Sequence, residues 1–172
     1  MDLLTPTLQE QTPLQTRGVG LPWLPDNQLY VAFFGGVIPV AIIAILNGPR
    51  LGMRADRQQM MIAVSVVGFV STVALMVLFV VVQPDISIHP RTVGRRIQQL
   101  CGLLTWLALA KLQAPAERRY DVRVDEEQYA SLWGPGLAAV FGGGLLGGLM
   151  TLGSFRAALF VLGIDPEAPI GE

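Results

Sequence analysis

The chain has 172 residues, 52% of them hydrophobic, a mean hydropathy of +0.51 and a net charge of −1 at pH 7. A soluble protein of this composition would expose large apolar patches, so lipid is the expected surrounding, and the near-neutral charge excludes a general basic field for nucleic acid. Cys101 is the only cysteine, which rules out an intrachain disulfide and a cysteine-based metal site.

The apolar residues gather into four blocks: Leu29 to Leu46, Met60 to Val82, Ile97 to Leu112 and Leu132 to Gly153. The expected fold is therefore all-α, an integral membrane protein with four transmembrane helices over residues 28 to 153. Ahead of them, residues 1 to 27 carry Pro6, Pro13, Pro22 and Pro25 and lack the basic start and compact apolar core of a signal peptide. They read as an extramembrane tail that orders only if something holds it. Residues 154 to 172 read as a C-terminal tail.

The first helix is predicted from Leu29 to Asn47, stopped by Asn47, Gly48 and Pro49. Inside it, the Pro39 ring removes the hydrogen bond to the Gly35 carbonyl, which predicts a kink near Gly35 and Gly36. The second helix is predicted from Gln59 to Gln83. Its charge-free stretch of about 23 residues gives ~34 Å of helix, enough to cross a ~30 Å hydrocarbon layer. Ser65, Gly68 and Thr72 fall at spacings of three and four and put small residues on one face, where another helix can approach.

The third block is short for a crossing. Arg95, Arg96, Gln98 and Gln99 lie at its start and Lys111 closes it, leaving an apolar centre of about 11 residues, ~17 Å. An interfacial helix would need a continuous charged face, which is lacking between Leu100 and Ala110, and snorkelling Arg96 and Lys111 can extend the reach. Spanning is the preferred reading, with an interfacial position as its alternative. Asp125 and Gln128 then have the form of a capping box for a short juxtamembrane helix. The fourth span starts near Gly134, Pro135 and Gly136.

In a four-span arrangement the segments 47 to 58 and 111 to 131 share one side with seven basic residues against five, and Arg50, Arg54 and Arg57 closely follow the first helix. That bias places both termini outside a plasma membrane, while a non-spanning third block would reverse it. Eleven of the twelve basic residues are Arg, a usage that suits a GC-rich bacterial genome.

The run AVFGGGLLGGLM holds two overlapping small-xxx-small pairs, Gly143 with Gly147 and Gly144 with Gly148, which fit helix packing better than a ligand groove. A phosphate loop would need a following Lys and Ser/Thr outside the lipid layer. His89, the only histidine, reads as a solvated loop residue. Arg118, Arg119 and Arg123, interleaved with Asp121, Asp125, Glu126 and Glu127, read as a charge-balanced loop that can face a partner. No calcium-loop spacing or nucleophile arrangement is present, so neither an enzyme nor a cofactor is expected.

The segment FFGGVIPVAIIAILNGPRLGM resembles one found in small uncharacterised bacterial multi-pass membrane proteins, in which Gly-Gly leads an apolar run to Leu-Asn and Arg-Leu-Gly. The likeness extends loosely to about residue 150, departs where Val37 and Ile38 replace the usual Pro-Leu, and implies a four-helix arrangement without a function. Ala32-x-Phe34-Gly35-Gly36 recurs as Ala139-x-Phe141-Gly142-Gly143, which admits a two-helix duplication as well as chance.

Uncharged spans with small-residue faces suit a structural or accessory subunit packed among membrane lipids and other integral membrane subunits, or against copies of itself. The alternative is a homo-oligomeric transporter or channel for an uncharged or lipidic molecule around the kinked first helix.

Overall fold

The computed structural model describes residues 20–82, 90–122, 129–161 and 163. Within them the fold is all-α, in line with the expected class. A 3-10 turn at Pro25–Asn27 leads into α1 (Gln28–Gly35), followed by α2 (Val37–Arg50), α3 (Ala55–Val82), α4 (Pro90–Asp121) and α5 (Trp133–Val161). Two helical stretches, Ala55–Phe79 and Trp133–Met150, are long and apolar enough to cross a membrane. Most of each stretch lies on the outside, where Val67 is 64% and Phe141 75% exposed. Neither stretch is buried as a core helix would be.

The expected single helix from Leu29 to Asn47 is corrected to two helices that fold back on each other. The break is Gly36, whose φ of +77° only glycine adopts without strain and whose N–H closes α1 on the Ala32 carbonyl at 2.9 Å. Pro39 thus falls in the first turn of α2, where a missing N–H costs nothing, and its ring packs on Gly35. In one continuous helix Gln28 and Asn47 would stand ~28 Å apart. Instead both side chains donate to Oε1 of Gln113, at 3.4 and 3.5 Å.

The expected stop at Asn47, Gly48 and Pro49 also moves, since α2 runs on to Arg50. Gly52, at φ +66°, supplies the left-handed residue of a Schellman cap: its N–H reaches the Pro49 carbonyl and that of Met53 the Gly48 carbonyl, both at 3.0 Å.

The third helix is longer than its apolar block, beginning at Pro90, a residue suited to a first helical position, and passing through Pro115 to Asp121. It packs on α1, α2 and α3, while α5 packs on the other side of the α1–α2 hairpin and on α3. The hairpin is therefore held between α4 and α5. Gly102 makes this possible: a Cβ there would sit 2.6 Å from the Ala32 carbonyl oxygen and 2.8 Å from the Gly36 Cα.

Residues 129–132 precede α5 without helix, and α5 continues past Gly153 to Val161, so residues 154–161 of the expected tail are helical. The juxtamembrane helix expected from Asp125 lies outside the described residues up to 128. Two apolar cores fill the interior. One joins Trp23, Val31, Ala32, Val40, Ile43 and Leu132, and the other joins Ala44, Leu51, Met53, Met61 and Leu109.

Candidate functional site

Two features stand out, one at each end of the hairpin. At its base the carboxamides of Gln28, Asn47 and Gln113 are completely or almost completely buried. A buried amide without partners costs about 1–3 kcal/mol, so such groups persist only in satisfied networks. Here Asn47 accepts from the Trp23 N–H at 2.7 Å and donates to the Trp23 carbonyl at 2.8 Å, while Gln113 donates to the Ala44 carbonyl at 3.1 Å.

These bonds hold the segment before α1. Arg50 stands 3.8 Å over the Trp23 ring and donates to the Leu21 carbonyl at 3.1 Å, Trp106 Nε1 donates to the Pro25 carbonyl at 3.1 Å, and the Ala130 N–H reaches the Pro22 carbonyl at 2.9 Å. Residues 21 to 27 are thereby a strap tied to α2, α4 and the segment entering α5.

Carboxylates and tyrosines lie beyond the apolar stretch of α4 at this end. Burial, then the charges of Asp121 and Asp26, raise the Glu117 pKa above its ordinary value of 4.5. Tyr129 donates to the Asp121 carboxylate and stacks edge-on with Tyr120, 5.3 Å between ring centroids. Burial and that bond push its phenol upward, and burial alone raises Tyr120.

At the hairpin tip a small open cleft of about 30 Å³ is lined by Gly35, Gly36, Thr72, Gln98, Gly143 and Gly147 together with apolar side chains of α2, α3 and α5. Gln98 Nε2 donates to the Gly147 carbonyl at 3.2 Å, joining α4 to α5 where the hairpin ends. The α2 N-terminus has no side-chain cap. The cleft has room for about one or two waters, far short of an ordinary ligand pocket of ~300 Å³ or more.

The residues singled out from sequence therefore divide. Gly35, Gly36, Thr72, Gly143 and Gly147 come together at the cleft, and a Cβ on Gly143 would run into the Pro39 ring. Gly68 faces Thr105 of α4 so closely that any Cβ would collide with its hydroxyl. Ser65 and Thr72 donate to the Met61 and Gly68 carbonyls, both at 2.8 Å, as hydroxyls on membrane helices commonly do. Gly144 and Gly148 point outward with open space above them. Arg118 and Arg119 are exposed at the end of α4, whereas His89, Arg123 and Asp125 lie outside the described residues.

Sequence reasoning missed the amide network, Gly102 and Trp106. In the sequence Asn47 reads as a helix stop, and Gln28 and Gln113 sit at the margins of apolar blocks, where polar residues are ordinary. Their one sequence signal is that all three are uncharged amides at the margins of apolar blocks. Among the described residues no group of three His, Cys, Asp or Glu is placed to hold a metal. Compared with known proteins, the chain matches no family model, no curated protein and no solved structure.

Proposed function

We propose that the protein is a small structural or accessory subunit of a larger assembly in a bacterial plasma membrane, with α3, α4 and α5 crossing the bilayer beside the α1–α2 hairpin. The observation that carries this reading is the outer surface of α3 and α5, apolar along its length and largely exposed. Lipid and other membrane helices are the surroundings that satisfy such a surface. On α5, Gly144 and Gly148 leave room for a neighbouring backbone, while Gly143 and Gly147 are used inside the subunit. Contact with other subunits therefore falls to the outward pair.

Gentle extraction of native membranes, a native gel and mass spectrometry of the band containing this chain test the reading. Migration with a larger defined complex is expected. Migration of all of it as a monomer or small homo-oligomer would overturn the accessory role.

The break at Gly36 beside Pro39 motivates a second reading, a homo-oligomeric transporter or channel for an uncharged or lipidic molecule. Flux above empty liposomes in vesicles holding the purified protein would support it, and its absence across a broad solute set would count against it.

A further inference from the structure

The start and the finish of the α1–α2 hairpin, Gln28 and Asn47, lie at one level of the molecule. At its base, Gln28 and Asn47 meet Gln113 of α4, and Gly48 faces Gln58 of α3. At its tip, Gly36 shares the cleft with Thr72, Gln98 and Gly147. The distance from base to tip can be read independently on neighbouring helices. Gln58 to Thr72 on α3 spans ~21 Å and Gln98 to Gln113 on α4 spans ~22 Å. Beyond the tip, α3 continues for ~15 Å to Val82 and α5 for ~21 Å to Val161. The hairpin's own legs are shorter still, ~12 Å from Gln28 to Gly36 and ~17 Å from Gly36 to Asn47, so a hairpin no more than ~20 Å deep stops inside a ~30 Å hydrocarbon layer.

An interrupted backbone at that depth is tolerated only when protein covers it. The Gly36 turn is covered: its N–H is bonded to Ala32, and α4 lies against it at Gln98 and Gly102. Arg95 and Arg96, within one turn of Gln98, are exposed and can snorkel towards the far face.

Charge then sets the direction. With the hairpin not crossing, α3 is the first span among the described residues; Arg50 and Arg54 stand immediately before it and Arg57 in its first turn. Among the described residues the base also carries Lys111, Arg118 and Arg119, and the opposite end carries Arg91, Arg95, Arg96 and Arg156. Trp133, 78% exposed, lies at the base as well, where an interfacial anchor is expected.

We infer that α1–α2 is a re-entrant hairpin entering and leaving the bilayer at its cytoplasmic face, so that Gly20 and Phe160 lie on opposite sides of the membrane. The inference rests on the membrane reading above and replaces the four-crossing arrangement expected from sequence with three crossings.

The test uses the full chain with Cys101→Ala and one new cysteine at a time: Gly20→Cys, where a Cβ meets nothing, Ala55→Cys or Phe160→Cys, all exposed positions. Membranes are washed with alkaline carbonate, then right-side-out and inverted vesicles are treated with an impermeant maleimide. The 20 and 55 positions should label at least tenfold more in inverted vesicles, and the 160 position in right-side-out ones. Labelling of 20 and 55 from opposite faces would overturn the hairpin, and the full pattern reversed would overturn its direction. Release of the chain by carbonate would instead remove the membrane reading itself.

Discussion

Gln28 and Asn47, about 19 residues apart in the chain, donate to the same oxygen, Oε1 of Gln113. This convergence turns an apolar block with the length of a membrane span into a hairpin, and it ties the hairpin base to α4 and, through Asn47, to the strap at Trp23.

Replacing Asn47 with Ala leaves the Trp23 N–H and carbonyl without their side-chain partner. The expected loss is about 1–3 kcal/mol, read as reduced thermal stability in detergent, together with faster hydrogen exchange at the Trp23 amide. Ser65→Ala, which removes only a bond to its own helix, should cost less. Equal losses for the two variants would mean that the Asn47 clamp contributes nothing special.

Gly68→Ala should destabilise the α3–α4 contact, because the added methyl collides with the Thr105 hydroxyl. Overpacking of this kind costs about 1–3 kcal/mol. Thr105→Ala should restore most of the loss in the double variant, and a double variant as unstable as the sum of the singles would contradict the contact.

The two glycine pairs of α5 should separate folding from assembly. Gly143→Leu drives a side chain into Pro39 and should lower the yield of folded monomer. Gly144→Leu with Gly148→Leu should leave the monomer's thermal transition within a few degrees of wild type and shift the chain to lower mass on a native gel. An unchanged native-gel mass for the outward pair would remove that face from the assembly.

Glu117 gives a pH dependence of defined sign. Its folded pKa is raised by burial and by Asp121 and Asp26, so the folded state favours the protonated acid. The resulting stabilisation is complete below the ordinary value of 4.5 and is lost as pH rises through the raised folded value. Thermal stability of the wild type should contain a downward step above pH 4.5 that Glu117→Gln removes, with the variant at least as stable at pH 7. A less stable variant at pH 7 would show that the ionised carboxylate is a favourable partner.

Much was legible in the residues themselves. The charge-free run from Met60 to Val82 has the length and composition of a long apolar helix, and the Leu132 to Gly153 block has the same character. Gly35, Gly36 and Pro39 marked a weak point in the first block for a local reason, a missing hydrogen bond and a residue free to take positive φ. Small residues at Ser65, Gly68 and Thr72 marked a close-packed face.

Whether the weak point became a kink or a reversal was decided by tertiary structure. The answer lay in Gln113 and Gly102, about 77 and 66 residues beyond Gly36: one gathers the start and finish of the hairpin, and the other lets α4 press against its tip. Local sequence limits the conformations open to Gly36, but the choice among them depends on which distant groups satisfy the amides it brings together. The inward or outward direction of each glycine pair on α5 has the same origin, since consecutive glycines look alike in sequence and only the position of Pro39 and Gln98 separates Gly143 and Gly147 from Gly144 and Gly148.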